Sequence, residues 1–486
     1  MALFILQPSA LILPSYWTAL PFGLLLCAIA LFPLLPRIAP WWHSNLHRFY
    51  VAGGCGLAAI LYYLILNQQP VEGHWPIHFV VAPASGGLQW RAAAAVAANA
   101  ICAEYVPFIV LLFSLYTISG GIRIEGRFRP TPQVNTVLLA LGALLASFIG
   151  TTGAAMILIR PLLEANRDRR HVRHTLVFFI FTVCNCGGCL LPLGDPPLLL
   201  GYLLGVPFLW TLTLWPQWLF ANGLLLAIYY LWDRFWPFPR EALPAGGTSL
   251  SGAKGVVRGP STPFTTNAAR RCPQGVPPKI LGLWPNGLLL LGVIASIALL
   301  DPGRPIPGTS WRPWIYLREV LQGLLVLCSL CVGSSAVRKA NKFNYHAIVE
   351  VAVLFAGIFL TVQAPLEIMR VRGPSLGLHS PAGFFWATGG LSAVLDNAPT
   401  YLVFFEAAKS LGGEHLLAGV EQSLLIAVSL GSVFMGAMTY IGNGPNFMVK
   451  SLAEESGVGM PGFFGYLVYS AAVLLPVLLL TTWIFL

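Results

Sequence analysis

The chain has 486 residues, of which 56% are hydrophobic and only 9% charged; its formal net charge is +10 and its mean hydropathy +0.73. A water-soluble chain carries about 25% charged residues, so soluble enzymes and nucleic-acid-binding proteins are excluded at the outset. The composition is that of an all-α polytopic membrane protein, and the partner it implies is the lipid bilayer, with no nucleic acid. The nine cysteines suggest no disulfide framework. Cys27, Cys55, Cys102, Cys328 and Cys331 sit in apolar runs, and the group Cys184, Cys186, Cys189 has no neighbouring His to complete a metal site.

Spanning helices need about 20 apolar residues each. Such runs occur near 17–35, 49–67, 92–118, 175–204 and 211–232, then near 283–300, 313–333, 346–362, 421–450 and 463–486. Residues 1–16 hold no Lys or Arg, so the first run reads as a retained span and not a cleavable signal. Two further stretches, 132–160 and 382–410, are long enough to cross but carry small, polar breaks near their middles. The Gly-, Pro-, Ser- and Thr-rich segment 234–280 reads as a flexible cytoplasmic linker between a first membrane repeat, 1–233, and a second, 281–486.

Basic residues set the orientation. With the N-terminus outside and both broken stretches re-entrant, only Arg91, Arg304, Arg312, Arg318, Arg370, Arg372 and Lys409 of the 28 Lys and Arg residues fall outside. That is the bias of a cytoplasmic-positive membrane protein. Each half then holds three spans, a re-entrant hairpin, an interrupted span and a final span. Five crossings per half is an odd number, so the second half is inverted relative to the first. Inverted-topology repeats with interrupted helices are the architecture of secondary transporters.

Internal similarity supports the repeat. Setting Gly194 on Gly442 pairs Asp195 with Asn443, Pro197 with Pro445 and Gly188 with Gly436. The hairpin tips also align, Ser147 to Gly153 against Ser392 to Thr400. Gly and Pro breaks free backbone groups at membrane depth, which are tolerated only around a protein-lined or polar cavity. The candidate ion- and substrate-binding residues are therefore Asp396, Asn397, Thr400, Asp195, Asn185, Asn443, Asn446, Thr151 and Thr152. Glu104, three residues before Pro107, is either a proton relay or a partner for backbone opened by that proline.

The motifs Asn185-Cys-Gly-Gly-Cys-Leu-Leu-Pro-Leu-Gly-Asp-Pro-Pro197, Ser392-Ala-Val-Leu-Asp-Asn-Ala-Pro-Thr400 and Gly436-Ala-Met-Thr-Tyr-Ile-Gly-Asn-Gly-Pro-Asn446 resemble signatures of the ion transporter superfamily. That superfamily includes arsenite carriers, NhaD-type sodium/proton antiporters and citrate or dicarboxylate transporters. The resemblance runs over most of the chain except 234–280, and is nearest to a bacterial branch labelled citrate transporter or sodium:proton antiporter. It departs at the first hairpin tip, which has Gly150-Thr151-Thr152-Gly153 where many relatives have Asp-Asn.

The leading expectation is a sodium/proton antiporter without cofactor, in which Asp396 alternately holds Na⁺ and H⁺. The alternative is a cation-coupled carrier of citrate or another small carboxylate, against which stands the lack of Arg or Lys in the cavity motifs. A remote third is an intramembrane enzyme, but no His lies beside a candidate nucleophile. The expected cargo is thus a small inorganic cation, with a carboxylate as the other candidate, and a homodimer is compatible with either.

Overall fold

The computed structural model describes residues 15–235 and 279–486, less 85, 127, 129, 168, 170, 304 and 307. Nearly all of the linker, 236–278, lies outside the described residues. Six helices are long and apolar enough to cross a membrane: Tyr16–Leu34, Asn45–Ile65, Trp90–Ser119, Pro132–Ile149, His346–Leu376 and Phe463–Phe485. Shorter apolar helices cover Leu283–Leu299 and Gln422–Met438. The all-α polytopic reading holds, with three short antiparallel pairs that the sequence did not suggest. These join Val71–Gly73 to Phe79–Val81, Arg123–Glu125 to Lys279–Leu281, and Leu416–Leu417 to Val420–Glu421.

The peripheral helices present apolar side chains outward, among them Leu57, Leu219, Leu291, Leu327 and Leu479. Two of them cross-link the halves. Helix α1 (Asn45–Ile65) packs on α2 (His346–Arg372), where small residues allow a close approach. A Cβ on Gly357 would lie 2.8 Å from the Ala52 carbonyl oxygen. Without a hydrophobic drive between helices in lipid, such backbone proximity is what holds them together. Arg48 and Glu350 close the interface with an ion pair at 2.9 Å.

The centre belongs to the broken elements, and it is the most buried part of the molecule. Helices α3 (Pro132–Ile149) and α4 (Thr151–Ala165) meet at Gly150, whose φ of 81° a side chain would disfavour. They fold back alongside each other. At their open end Asn135 and Asn166 exchange reciprocal side-chain hydrogen bonds of 2.9 Å, both residues being buried. Pro132–Ile149 is long and apolar enough to cross a membrane, and the Asn135–Asn166 pair ties the start of this helix to the residue that follows α4. Helices α5 (Pro381–Ser392) and α6 (Asn397–Lys409) likewise fold back alongside each other, with Phe384 and Phe404 ring to ring at 6.4 Å.

Between these hairpins run two interrupted helices. The first consists of α7 (Arg173–Thr182), a Gly-rich break, and α8 (Pro196–Leu203). The second consists of α9 (Gln422–Met435), a break, and α10 (Gly444–Glu455). Both breaks are closed by backbone lying on backbone. A Cβ on Gly194 would meet the Gly188 carbonyl oxygen at 2.1 Å, and one on Gly442 would meet the Gly436 carbonyl oxygen at 2.6 Å. These are the glycines that align in the sequence.

Candidate functional site

Four helices begin at one buried point. Asp195 caps the N-terminus of α8 and Asn443 that of α10, with nearly the same backbone angles: φ −142°, ψ 144° against φ −151°, ψ 137°. Thr151 opens α4 and Asn397 opens α6. The Asp195 carboxylate accepts from three of these neighbours: the Thr151 hydroxyl at 3.0 Å, the Asn443 amide at 3.1 Å and the Asn397 amide at 2.5 Å. Both hairpins and both interrupted helices therefore meet on one carboxylate that is 1% exposed.

A second layer of amides fixes the first. Asn443 also donates to the Asn185 side-chain oxygen at 3.2 Å and to the Cys184 carbonyl at 2.9 Å. Asn185 donates to the Asn446 side-chain oxygen at 2.8 Å and to the Ile180 carbonyl, freed by the break, at 2.9 Å. Asn446 donates to the carbonyls of Gly436 and Thr439, each at 2.9 Å. One acceptor is left over. Because the Asn397 amide NH₂ faces the carboxylate, its Oδ1 points away, and it is buried without a hydrogen-bond partner. A buried carbonyl oxygen in that state costs about 1–3 kcal/mol.

Six of the sequence candidates thus come together: Asp195, Thr151, Asn185, Asn397, Asn443 and Asn446. Asp396, Thr400 and Thr152, although near in the chain to members of the cluster, make no side-chain hydrogen bond to the Asp195 carboxylate. Asp396 is half-buried and caps its own helix, accepting from the Ala398 backbone N–H at 3.1 Å. Thr400 donates to the Asp396 carbonyl at 3.0 Å. Among the described residues Thr152 makes no side-chain hydrogen bond to the cluster. Glu104 lies elsewhere, in a π-helical turn over Asn99–Tyr105, where Gln363 donates to it at 3.1 Å.

Two supporting serines were not singled out from sequence, although they align. Ser147 donates to the Gly187 carbonyl at 2.6 Å, and Ser392 to the Ser432 carbonyl at 2.7 Å. Each stands a few residues before a hairpin tip; Ser147 pins its tip to the first break, and Ser392 pins its own to the last turn of α9. Their signal was the common position in the two aligned tips.

Cavities lie at both ends of the interrupted helices. One of about 660 Å³ is lined by the ends of α8 (Leu200, Leu203) and α6 (Leu402, Glu406, Lys409), with Glu104 and Arg370. Arg370 and Lys409 both reach Glu406, at 3.0 and 3.9 Å, so one carboxylate is shared between two cations. His74, in the loop over this cavity, is held below the usual imidazole pKa by burial and by His78 and Arg370 nearby. The other cavity, of about 930 Å³, is lined by the ends of α4 (Arg160, Glu164) and α10 and the start of α7 (Arg173, His174). Helix α7–α8 runs from the second cavity through the cluster to the first.

Chemically, helix N-termini carry partial positive charge and favour anions. Here four of them surround one built-in carboxylate, which neutralises them. The carboxylate and the spare Asn397 oxygen are hard oxygen donors suited to a small cation. Such broken-helix sites are the form that substrate and coupling-ion sites take in secondary transporters.

No curated protein matches the chain. The model of a family described as "Putative citrate transport" matches residues 12–486. This description ranks the citrate alternative above the sodium/proton antiporter that the motifs had placed first, and it sets the chain among transporters of the membrane and not among enzymes. Because the match covers nearly the whole length, the chain belongs to this citrate-transport family of the ion transporter superfamily.

Proposed function

We propose that the chain is a secondary active, cation-coupled carrier of citrate or a related small carboxylate in a bacterial inner membrane. The observation that carries this reading is the family match over residues 12–486. The convergence of four helix N-termini on Asp195 supports it, because that arrangement can serve a cation and an anionic cargo together. The coupling cation sits on the Asp195 carboxylate, which Thr151, Asn397 and Asn443 orient and which Asn185 and Asn446 support from behind. The cargo's carboxylate then binds beside the cation, in the field of the helix ends. The role earlier given to Asp396 passes to Asp195; Asp396 and Thr400 shape the tip from within their own helix.

Access alternates between the two cavities, and the two halves are inverted repeats with re-entrant hairpins. Three observations support this. The hairpin arms return to each other at Asn135 and Asn166, the glycine contacts recur at equivalent places, and the interrupted helices run in opposite directions between the cavities. With the linker 234–280 and the Arg160 cavity cytoplasmic and the N-terminus outside, most basic residues obey the positive-inside bias.

The test is uptake of labelled citrate into proteoliposomes under imposed Na⁺, Mg²⁺ or proton gradients, with intravesicular pH recorded in parallel. Citrate accumulation that depends on a cation gradient is expected. Cation-driven proton movement without citrate uptake would overturn the reading in favour of antiport.

A further inference from the structure

The larger cavity carries a charge distribution that the proposed transport site does not use. Arg123, Arg160, Arg167, Arg169, Arg173 and His171 line it, against Glu164 as the one acidic lining residue. Some of this charge is already neutralised. Arg169 is paired with Asp233 at 2.5 Å, and Arg123 with Glu125 at 2.7 Å. Arg160 and Arg173 are oriented by carbonyl oxygens instead, Arg160 by Ala340 at 3.2 Å and Arg173 by Gly459 at 2.6 Å. A carbonyl fixes the direction of a guanidinium but leaves its charge in place. Among the described residues, no carboxylate pairs with Arg160, Arg167 or Arg173.

A lone arginine near the end of a membrane helix commonly serves as an anchor that reaches toward lipid headgroups. An anchor of that kind needs only to point outward at the membrane surface. These arginines instead share a recess walled by Leu163, Val172, Trp232 and Tyr469. Several like charges around one recess repel each other, and a bound anion relieves that repulsion. Guanidinium groups suit carboxylate and phosphate oxygens because their fork of N–H donors matches them two at a time. The position matters as well. The recess lies at the far ends of α4 and α10, the two helices that begin at Thr151 and Asn443 beside Asp195.

We infer that this recess is a second anion site, which holds a small multivalent carboxylate at the mouth of the route to Asp195 through Arg160, Arg167 and Arg173. The identification of its ligand as a carboxylate rests on the transport function proposed above. The phosphate of an anionic lipid headgroup shares the same chemistry and is distinguished below.

The experiment is calorimetric titration of citrate, and separately of inorganic phosphate, into the full chain in nanodiscs of neutral phosphatidylcholine with Na⁺ and Mg²⁺ present. Wild type is compared with the double variant Arg160→Gln/Arg167→Gln, its Arg→Lys counterpart and Asp195→Asn, each checked for folding by thermal melting. The expected result is a citrate-binding component that weakens on the order of tenfold per arginine removed. It falls with added salt, is partly restored by the lysine variant and survives in Asp195→Asn. Repeating the titration in discs containing phosphatidylglycerol separates the sources. A citrate component lost there in wild type assigns the recess to the headgroup phosphate and upholds the anion site.

Superimposable citrate and phosphate titrations for wild type and the glutamine variant in neutral lipid would overturn the inference. Binding lost in Asp195→Asn but unchanged in the arginine variants would overturn it too, while leaving the transport function standing. Conversely, phosphate binding at the arginines together with absent citrate uptake would remove the transport function and keep the anion site.

Discussion

The two halves of the molecule build the same joint and furnish it differently. Asp195 and Asn443 cap equivalent helices with backbone angles that agree within about 10°, and each sits one residue after a glycine pressed against a partner six residues earlier. Yet the first half supplies a carboxylate and the second an amide. The hairpin tips are reversed: Thr151 offers a hydroxyl from the first half, whereas Asp396 and Asn397 stand at the second. The difference teaches that the frame is duplicated but the charge is not. One buried carboxylate, ringed by neutral donors from both halves, stands where a symmetric frame would allow two.

The sharpest way to break this comparison is to make the halves alike. Asp195→Asn gives both joints an amide and removes the one buried charge. It removes the carboxylate on which the coupling cation is proposed to sit, so citrate uptake in proteoliposomes should fall by about two orders of magnitude, the equivalent of about 3 kcal/mol of binding. Wild-type uptake in that variant would return the ion site to Asp396. Next comes the shared frame. Gly194→Ala and Gly442→Ala each drive a methyl group into a carbonyl oxygen, and the closer contact at Gly194 should cost more. Overpacking of this kind costs about 1–3 kcal/mol or more, to be read as lowered melting temperature in detergent, with Gly194→Ala the lower of the two.

A smaller effect is expected at the open end of the first hairpin. Asn135→Ala leaves the buried Asn166 amide with half its partners, a loss of about 1–3 kcal/mol by thermal melting. The smallest belongs to Asp396→Asn. Asn is as good an N-cap as Asp, so uptake should stay within about threefold of wild type. If that variant instead abolishes transport while Asp195→Asn does not, the assignment of roles is reversed.

Much of this was legible in the sequence because the features are covalent in origin. Gly and Pro runs mark where a helix cannot continue, and Asn185, Asp195, Asn443 and Asn446 follow from those breaks. Alignment of the two halves placed Ser147 opposite Ser392 and Gly188 opposite Gly436 before any contact was known. What the sequence could not rank was Asp195 against Asp396. Both are carboxylates at breaks, and only three-dimensional proximity shows which receives Thr151, Asn397 and Asn443. The basic groups near the route were illegible for a related reason. Arg370 and Lys409 are 39 residues apart in number and meet only through Glu406, far from any motif. Glu104 was read as bonding backbone or relaying protons, and its actual partner, Gln363, lies in the other half.

The backbone-on-backbone closure of the two joints also bears on how such a protein could change its cargo. At Gly194 and Gly442 an added side chain would run into backbone, so these loops are closed to innovation. Variation is open to the short side chains at the hairpin tips, Thr151, Thr152, Asp396 and Asn397, each set on a ready-made helix end. A lineage that rewrote those four positions could acquire a new substrate without rebuilding the machine that moves it.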